Sequence, residues 1–504
     1  MRADIGGVSL LSIALLSPVT QEPPLATRLA ASAICVAAAG LLAGCSTPFD
    51  QSRHTHRALG KTLPRDVERL PQSAYRATPE SDEAAVRALG PDTSPDDYIR
   101  YALYNSPEVE AAYQRWQAAA ERPTQAAALP DPRLTFGFFL EEVQTRTGPQ
   151  QARLGVSQTF PWPGRLRNRE DAASKASAAA WRRFEAARLS VTERVVTTLH
   201  DLSYLDAAIA ITGENLELLR SFEEVLRARY RVGAGSHPEL IRVQVELGQL
   251  EDRIAQLRAM RPAYVAELNA TLNRESGHEV APLGRLPGRV ASVDADGLAE
   301  IARRSNPVLL ELGERIEEQR HLAEVARRDG LPDLTVGLEY LFTGEAINSD
   351  TPGSGDDPIL LSFGINVPLW REKYDAGFRE ALSRRLIASH ERAGEANRIA
   401  AAIHRAWFEH TDADRRVRLY ERTLIPKAEE SLRASLAGFR AGETSFLDLL
   451  DTERTLLEFS ISAERARADR GKALARLGSL VGEPVPTEPE DRHPQHQGPD
   501  EVQP

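Results

Sequence analysis

Alternation of apolar and polar residues sets two stretches apart from the rest of the chain. Residues 134–160 and 331–370 each contain two runs in which every second side chain is apolar. A period of two is typical of strands with one apolar and one polar face. The apolar positions are Leu134, Phe136, Phe138, Leu140, Leu154, Val156, Phe160, Leu334, Val336, Leu338, Tyr340, Phe342, Ile359, Leu361, Phe363, Ile365 and Val367. The later runs are close to the ~9–11 residues with which a tilted strand crosses a bilayer.

Most of the remaining chain has helical spacing, and the whole plan is duplicated. Apolar residues three and four apart form a narrow stripe along 165–232, a stretch without proline. Such a stripe is typical of coiled-coil packing, and the helix would be roughly 100 Å long. A second long helix is predicted over 371–441. The motif Leu-Pro-Asp precedes both strand pairs, at 129–131 and 331–333.

Each long helix is predicted to end in a tight turn and to be followed by a return helix. Glycine provides a C-cap for the first helix, and serine can N-cap the second. The predicted hairpin tips contain Gly233, Gly235, Ser236, Gly442, Thr444 and Ser445.

The pattern predicts a mainly α chain with a small membrane β part: two long helical hairpins and four strands. The predicted segments are a signal peptide (1–45), an irregular lead-in (46–94), a first repeat (95–273) that begins with a helix over 95–128, a linker (274–293), a second repeat (294–482) and a disordered tail (483–504). Pro107 and Pro123 are expected to limit or kink the helix over 95–128. Known membrane barrels begin at about eight strands, and open sheet edges are not tolerated in hydrocarbon. If the four strands lie in a membrane, several copies must therefore share one barrel.

The N-terminal region predicts export and lipid attachment. Arg28 precedes an apolar run over 29–42, as in a signal peptide. Leu-Ala-Gly-Cys at 42–45 resembles the bacterial lipoprotein lipobox, which implies that Cys45 is acylated and becomes the mature N-terminus. Ser46 then implies sorting to the outer membrane. A cleaved signal with a chance cysteine is the alternative, and the length of the leader leaves the true start codon open.

Charge and composition argue against several functions. The formal net charge is −11, which disfavours a nucleic-acid partner. His54, His56, His493 and His496 lie in polar segments and are interpreted as solvated, while Asp412 and Asp414 are interpreted as helix-surface charge. No nucleophile–base set, phosphate loop or soft-metal motif stands out, so no catalysis, cofactor or resident metal is predicted.

Lipobox, duplicated strand pairs and duplicated hairpins together resemble the TolC-type outer-membrane efflux channels over about 95–482. The segments 157–165, 230–236 and 268–273 are similar to the heavy-metal branch of that family. The resemblance implies a homotrimer whose four strands per chain form a shared twelve-stranded barrel. The barrel would continue as a periplasmic helical tunnel. Its implied partners are outer-membrane lipid, a periplasmic adaptor (membrane-fusion) protein and an inner-membrane pump, of the proton-driven cation-efflux type.

The resemblance also implies a gate at the periplasmic mouth. Asp448 and Asp451 match acidic rings that narrow it, while the hairpin tips would dock the adaptor and pump. The alternative is that both are solvated carboxylates that favour the helix dipole. In the archetypal channel a tyrosine and an arginine lock the closed state. Phe439 and Thr444 stand at those positions here, so that lock cannot form in the same way.

Other readings of the sequence remain open. A duct of the same fold could serve drug efflux or type I protein secretion, and the sequence does not specify the exported substrate. A periplasmic adaptor with coiled-coil hairpins is a further alternative. An adaptor needs one hairpin and flanking β-domains, whereas this chain has two hairpins and two strand pairs.

Overall fold

The computed structural model covers the strand pairs and both hairpins. It describes residue 89 and residues 93–233, 235–348 and 350–489. Cys45, the predicted signal peptide, His54, His56, His493 and His496 all lie outside the described residues.

The first repeat contains the strand pair and a long helical hairpin, as predicted. Its elements are α1 (Pro95–Asn105), α2 (Pro107–Ala120), α3 (Arg122–Ala127), β1 (Arg133–Thr145), β2 (Gly148–Phe160), α4 (Arg165–Arg231) and α5 (His237–Thr271). The predicted helix over 95–128 is divided into α1, α2 and α3 near Pro107 and Pro123, the two residues expected to limit or kink it. Ser106 is extended, and its hydroxyl accepts a hydrogen bond from the Val109 backbone to start α2. Pro107 and Pro123 then occupy first-turn positions, where the missing N–H does no harm.

The second repeat has the same order of elements. They are α6 (Ala295–Ser305), α7 (Pro307–Asp329), β4 (Leu334–Thr343), β5 (Ile359–Ile365), α8 (Arg371–Leu419), a π-helical turn (Tyr420–Leu424), α9 (Ile425–Ala441) and α10 (Phe446–Val481). The predicted helix over 371–441 is thus confirmed, with one irregularity. Pro426 has no backbone N–H to donate to the helical hydrogen-bond ladder, and the ladder changes to a π turn just before it.

The four predicted strands form one antiparallel sheet in the order β1-β2-β4-β5. The central pair joins the two repeats: Leu154 lies opposite Tyr340, and the hydroxyls of Thr159 and Thr335 are 3.1 Å apart. Within the described residues, β1 and β5 each pair along one side only. Apolar side chains remain outside, with Leu140 fully exposed and Phe363 69% exposed.

A second, two-stranded sheet corrects the sequence prediction. β3 (Arg289–Ala291) pairs antiparallel with β6 (Thr487–Pro489). β3 lies in the predicted linker over 274–293, and β6 lies near the start of the tail over 483–504, which was predicted to be disordered. Runs of three residues are too short to show a period, and their pairing is stabilised by burial of Val290 and by a hydrogen bond from the Ser292 backbone to Pro486.

The ends of the two hairpins share one apolar core, which we call the tip cluster. It consists of Leu216, Leu219, Phe222, Leu226, Val243, Leu247, Leu250, Ile254, Phe439, Phe446, Leu449, Leu450, Leu457 and Ile461. These side chains come from α4, α5, α9 and α10, at spacings of three and four. The predicted stripes are therefore the surfaces by which the four helices pack together. Among the helices described, none is long and apolar enough to cross a membrane.

One predicted surface charge lies in the interior. Asp414 is 3% exposed and accepts a 2.9 Å hydrogen bond from Arg470, which is equally buried, on α10. Arg418 contacts its other oxygen at 3.0 Å. Asp412, by contrast, pairs with Arg415 at the surface, as expected. The sequence pattern missed Asp414 because the helix that covers it lies more than fifty residues away.

Candidate functional site

The tip of the second hairpin is a closed turn. Gly442 has a φ of 81°, a left-handed conformation that favours glycine. The Glu443 backbone donates a 2.8 Å hydrogen bond to Gly438, and the Thr444 hydroxyl donates to the Ser435 carbonyl at 3.1 Å. Thr444 thus secures its own hairpin rather than a neighbouring one.

Asp448 takes part in the capping of α10. The Asp448 backbone donates to the Ser445 hydroxyl at 3.2 Å, and the Ser445 backbone donates to the Asp448 carboxylate at 3.2 Å. The Ser445 hydroxyl also donates to this carboxylate at 2.8 Å. This capping box satisfies N–H groups at the helix start. A structural role for Asp448 therefore exists within the single chain.

Asp448 and Asp451 lie together, as predicted, along a surface groove between α5 and α10. The groove has a volume of about 410 Å³ and is lined by Ile241, Arg242, Val245, Leu447, Asp448, Leu450, Asp451 and Arg454. Three residues apart on one helix, the two carboxylates share a face. The groove also contains two arginines, so its charge is mixed rather than purely acidic.

The tip of the first hairpin is built similarly. Gly233 has a φ of 73°, and the Ser236 backbone donates to the Glu239 carboxylate at 3.3 Å to start α5. A Cβ on Gly235 would come within 3.1 Å of the Tyr230 backbone nitrogen, so only glycine fits there without adjustment. Both tips present short polar turns of defined shape.

Phe439 connects the two hairpins. Its side chain is 7% exposed and packs edge-on against Phe446, with ring centroids 5.9 Å apart. The Arg229 guanidinium of α4 lies 4.8 Å from the Phe439 ring centroid, a cation–π contact. Sequence reasoning identified Phe439 as a departure from the archetypal lock but missed Arg229.

A second link joins α5 to α10. Arg454 donates through Nε to Glu246 Oε1 at 3.0 Å and through its terminal nitrogen to Oε2, a bidentate pair. Glu246 is 6% exposed. The hydrogen bonds to Glu246 raise the pKa of Arg454 above its ordinary value. Sequence reasoning missed this pair. The available signal was a glutamate among the apolar positions of α5, next to Leu247.

In the part of the chain that the structure describes, no group of three or more His, Cys, Asp or Glu side chains is arranged to hold a metal ion. His410 is fully buried and accepts a hydrogen bond from the Ala291 backbone at 3.1 Å, which ties α8 to β3. The histidine is thus structural.

The sequence matches the family described as "Outer membrane efflux protein" over residues 98–274 and 298–483, which is more than half of the chain. It is 23% identical to "Outer membrane protein TolC" of Vibrio cholerae over 76% of this chain and 89% of that protein. It is 20% identical to "Cobalt-zinc-cadmium resistance protein CzcC" of Cupriavidus metallidurans, over 71% of this chain and 82% of that one.

The fold has solved counterparts as well. The crystal structure of the outer membrane protein VceC from Vibrio cholerae superimposes with a TM-score of 0.64 at 19% identity. The match covers 78% of this chain and 97% of that one. The duplicated hairpins and the strand pairs are thus the shared architecture.

The Glu246–Arg454 pair predicts a measurable coupling between α5 and α10. Arg454→Met leaves the buried Glu246 carboxylate without its partner, and Glu246→Gln removes the charged acceptor from Arg454, which is half exposed. We expect a double-mutant cycle to give a coupling of about 0.5–3 kcal/mol. The measurement is the free energy of local opening from hydrogen exchange of the tip amides.

The matched control is the exposed pair Arg220–Glu251, which also bridges two helices, with 3.0 Å between Nη2 and Oε1. Exposed pairs couple weakly, so its cycle should give a much smaller value. Equal coupling in the two cycles would show that Glu246–Arg454 is an ordinary surface pair.

Proposed function

The chain belongs to the outer membrane efflux protein family, and we propose that three copies of it form a passive channel through the outer membrane. In this proposal the channel is one part of a tripartite efflux system. The helical hairpins extend into the periplasm as a tunnel, and their tips meet a periplasmic adaptor and an inner-membrane pump. The pump supplies the energy, and this chain provides the path.

The observation that carries the proposal is the four-stranded sheet with two unpaired edges, β1 and β5. In hydrocarbon each unpaired N–H or C=O destabilises the structure by several kcal/mol. Pairing β1 of one copy with β5 of the next removes every edge. Three copies then give a closed barrel of twelve strands, a size within the known range of about 8 to 26.

The surface chemistry of the sheet supports this placement. Its exposed residues include Leu134, Phe136, Phe138, Leu140, Ile359, Leu361, Phe363 and Ile365. An apolar patch of this extent on a water-soluble domain would promote aggregation, whereas lipid covers it favourably. The polar loop over 344–358 would then face the cell exterior.

Assembly as a trimer is testable by crosslinking of detergent-extracted protein. We expect a band of three chains, the number that gives the proposed twelve-stranded barrel; two copies would close with only eight strands and would give a band of two. As a control, a crosslinker added after unfolding in denaturant should give no such band. A stable extracted monomer with an intact sheet would contradict the proposal.

We further propose that the exported substrates are heavy-metal cations. The segments 157–165, 230–236 and 268–273 support this branch, as does the similarity to a protein named for cobalt, zinc and cadmium resistance. A deletion strain should become sensitive to one or more of these cations, and the intact gene should restore resistance. Unchanged metal resistance together with sensitivity to organic toxins, or with loss of a secreted protein, would favour the other ducts of this fold.

Lipid attachment at Cys45 is a separate proposal, which rests on the lipobox over 42–45. Cys45→Ala should abolish labelling by a fatty-acid analogue, because the thiol that carries the lipid is gone. Barrel insertion should persist, since four strands per chain remain. The control is Cys35→Ala, which should leave labelling unchanged. Continued labelling of the Cys45 variant would contradict the assignment.

We also propose that Asp448 and Asp451 form acidic rings at the periplasmic mouth. Threefold symmetry would bring six carboxylates around one opening. Their negative potential would attract cations and exclude anions. The capping role of Asp448 and the arginines of the groove limit how much of this charge reaches the opening, which makes a direct test necessary.

The test is conductance in planar bilayers with Asp448→Asn and Asp451→Asn combined. Asparagine keeps an oxygen for the Ser445 backbone, so the helix start should survive. We expect weaker cation selectivity and weaker block by divalent ions. Glu443→Gln removes a charge from the same turn and should have little effect. Wild-type selectivity and block in the double variant would identify both aspartates as surface charges.

A further inference from the structure

Between Leu450 and Leu457 of the tip cluster, one ionisable side chain of α10 lies where the helical stripe requires an apolar residue. Along α10 the buried positions near the tip are Phe446, Leu449, Leu450, Glu453, Leu457 and Ile461. Glu453 is 1% exposed within the single chain, so a neighbouring copy can bury it no further. An unpaired carboxylate in such a place is strongly destabilising, whereas a leucine would not be.

Two buried oxygens beside each other have no hydrogen-bond partner among the described residues. They are Oε1 of Glu453 and Oδ1 of Asn215, on α4. The Asn215 side chain also forms a hydrogen bond with the Glu453 carboxyl. An ionised glutamate only accepts hydrogen bonds, so it cannot satisfy the asparagine oxygen. A protonated glutamate donates one, and both oxygens then acquire a partner.

We propose that Glu453 and Asn215 form a proton-binding site. The amide donates to the carboxyl, the carboxylic acid donates to Oδ1, and loss of the proton loosens α10 from α4 beside the mouth. The ligand is a proton rather than a metal ion, because no cluster of three metal-ligating side chains exists among the described residues. The effect on the mouth rests on the proposed channel function, whereas the proton site does not.

The surroundings of Glu453 favour its neutral form. Burial raises the pKa of Glu453 to about 7, outweighing the hydrogen bond from Asn215, which lowers it. Glu246 on α5 raises this pKa further, while Arg454 lowers it; these two groups are paired with each other. From α9, the Ser435 hydroxyl lies 3.4 Å from that of Thr452, the residue before Glu453.

The direction of the pH effect follows from these values. The ordinary pKa of a glutamate is 4.5, and that of Glu453 in the folded chain is about 7. Below the lower value both folded and unfolded chains hold the proton. As the pH rises towards the higher value, the unfolded chain releases it first, so the folded state loses stability. Above about pH 7 the site is ionised, and the strain on α10 is fully present.

The position of Glu453 gives this strain a mechanical consequence. The residue lies five positions, or about 1.4 turns, beyond Asp448 at 3.6 residues per turn. An ionised carboxylate regains solvation when water enters between α10 and α4. Such a displacement moves the N-terminal end of α10, where Asp448 and Asp451 lie. Alkaline conditions should therefore favour a looser mouth and acidic conditions a tighter one.

The decisive variant is Glu453→Gln, which imitates the protonated acid: its amide can donate to Asn215 and accept from it. The matched control is Glu458→Gln, an exposed glutamate on the same helix. Thermal unfolding of the intact protein in detergent is followed from about pH 5 to about pH 8.5. Wild type and Glu458→Gln should lose stability through about pH 7, while Glu453→Gln should lose less.

Infrared spectroscopy reads the proton directly. The C=O stretch of a protonated carboxyl should disappear from the wild type with a midpoint near pH 7, and this component should be missing in Glu453→Gln. In a second variant, leucine replaces both Glu453 and Asn215. It removes both orphan oxygens and should fold stably without the pH effect. If Glu453→Gln keeps the infrared titration of the wild type, or the same pH dependence of thermal unfolding, the proton site is disproved.

Conductance in planar bilayers tests the coupling to the mouth. In the wild type, conductance should increase between about pH 6 and about pH 8, and Glu453→Gln should stay at the low, acidic level. A conductance that follows pH equally in both proteins would overturn the coupling. Complete absence of conductance at every pH would contradict the proposed channel and the coupling with it, while the infrared and unfolding data would still decide the proton site.

Discussion

The structure depends on one constraint: a sheet edge must find hydrogen-bond partners. Among the described residues, the larger sheet pairs four strands in the order β1-β2-β4-β5 and leaves two edges open. Its exposed face is apolar, which favours lipid, yet lipid offers no hydrogen bonds to an edge. Association with further copies resolves both demands together. The need for further copies therefore follows from the backbone, before any consideration of what passes through the assembly.

The pairing of the strands also determines how the helices of the two repeats are arranged. β2 and β4, the central strands, come from different repeats, so the sheet itself fixes the two repeats side by side. Each strand pair feeds a long helix, and the four helices meet again in the tip cluster. A narrow apolar stripe suffices for this packing, because each helix has neighbours on only part of its surface. The hairpins are thus held at both ends, by backbone pairing at one and by side-chain packing at the other.

Most of the architecture could be predicted from the sequence, because it is periodic. The strands, the two long helices and the tip turns at Gly233 and Gly442 all have local signals. Contacts between segments that are far apart in the sequence have no such local signal. The pairing of β3 with β6, the burial of Asp414 beneath Arg470 and the Glu246–Arg454 link each join residues that only the folded chain brings together. For Glu453, the position within the apolar stripe of α10 can be read from the sequence, but its partner Asn215 cannot.

The tip is held by contacts of several kinds. Arg229 makes a cation–π contact with Phe439, and Glu246 and Arg454 form an ion pair between α5 and α10. Thr444, in the turn, donates a hydrogen bond to the Ser435 carbonyl of the same hairpin.

These links respond to different conditions. Salt weakens the ion pair because half of the Arg454 side chain is exposed. The cation–π contact is less sensitive to salt than a fully solvated pair, since Phe439 is buried. Glu453 adds a polar contact whose strength depends on its proton. A hairpin end held by salt-sensitive, pH-sensitive and apolar contacts can loosen without unfolding, because the leucines of the tip cluster remain packed while the polar links change.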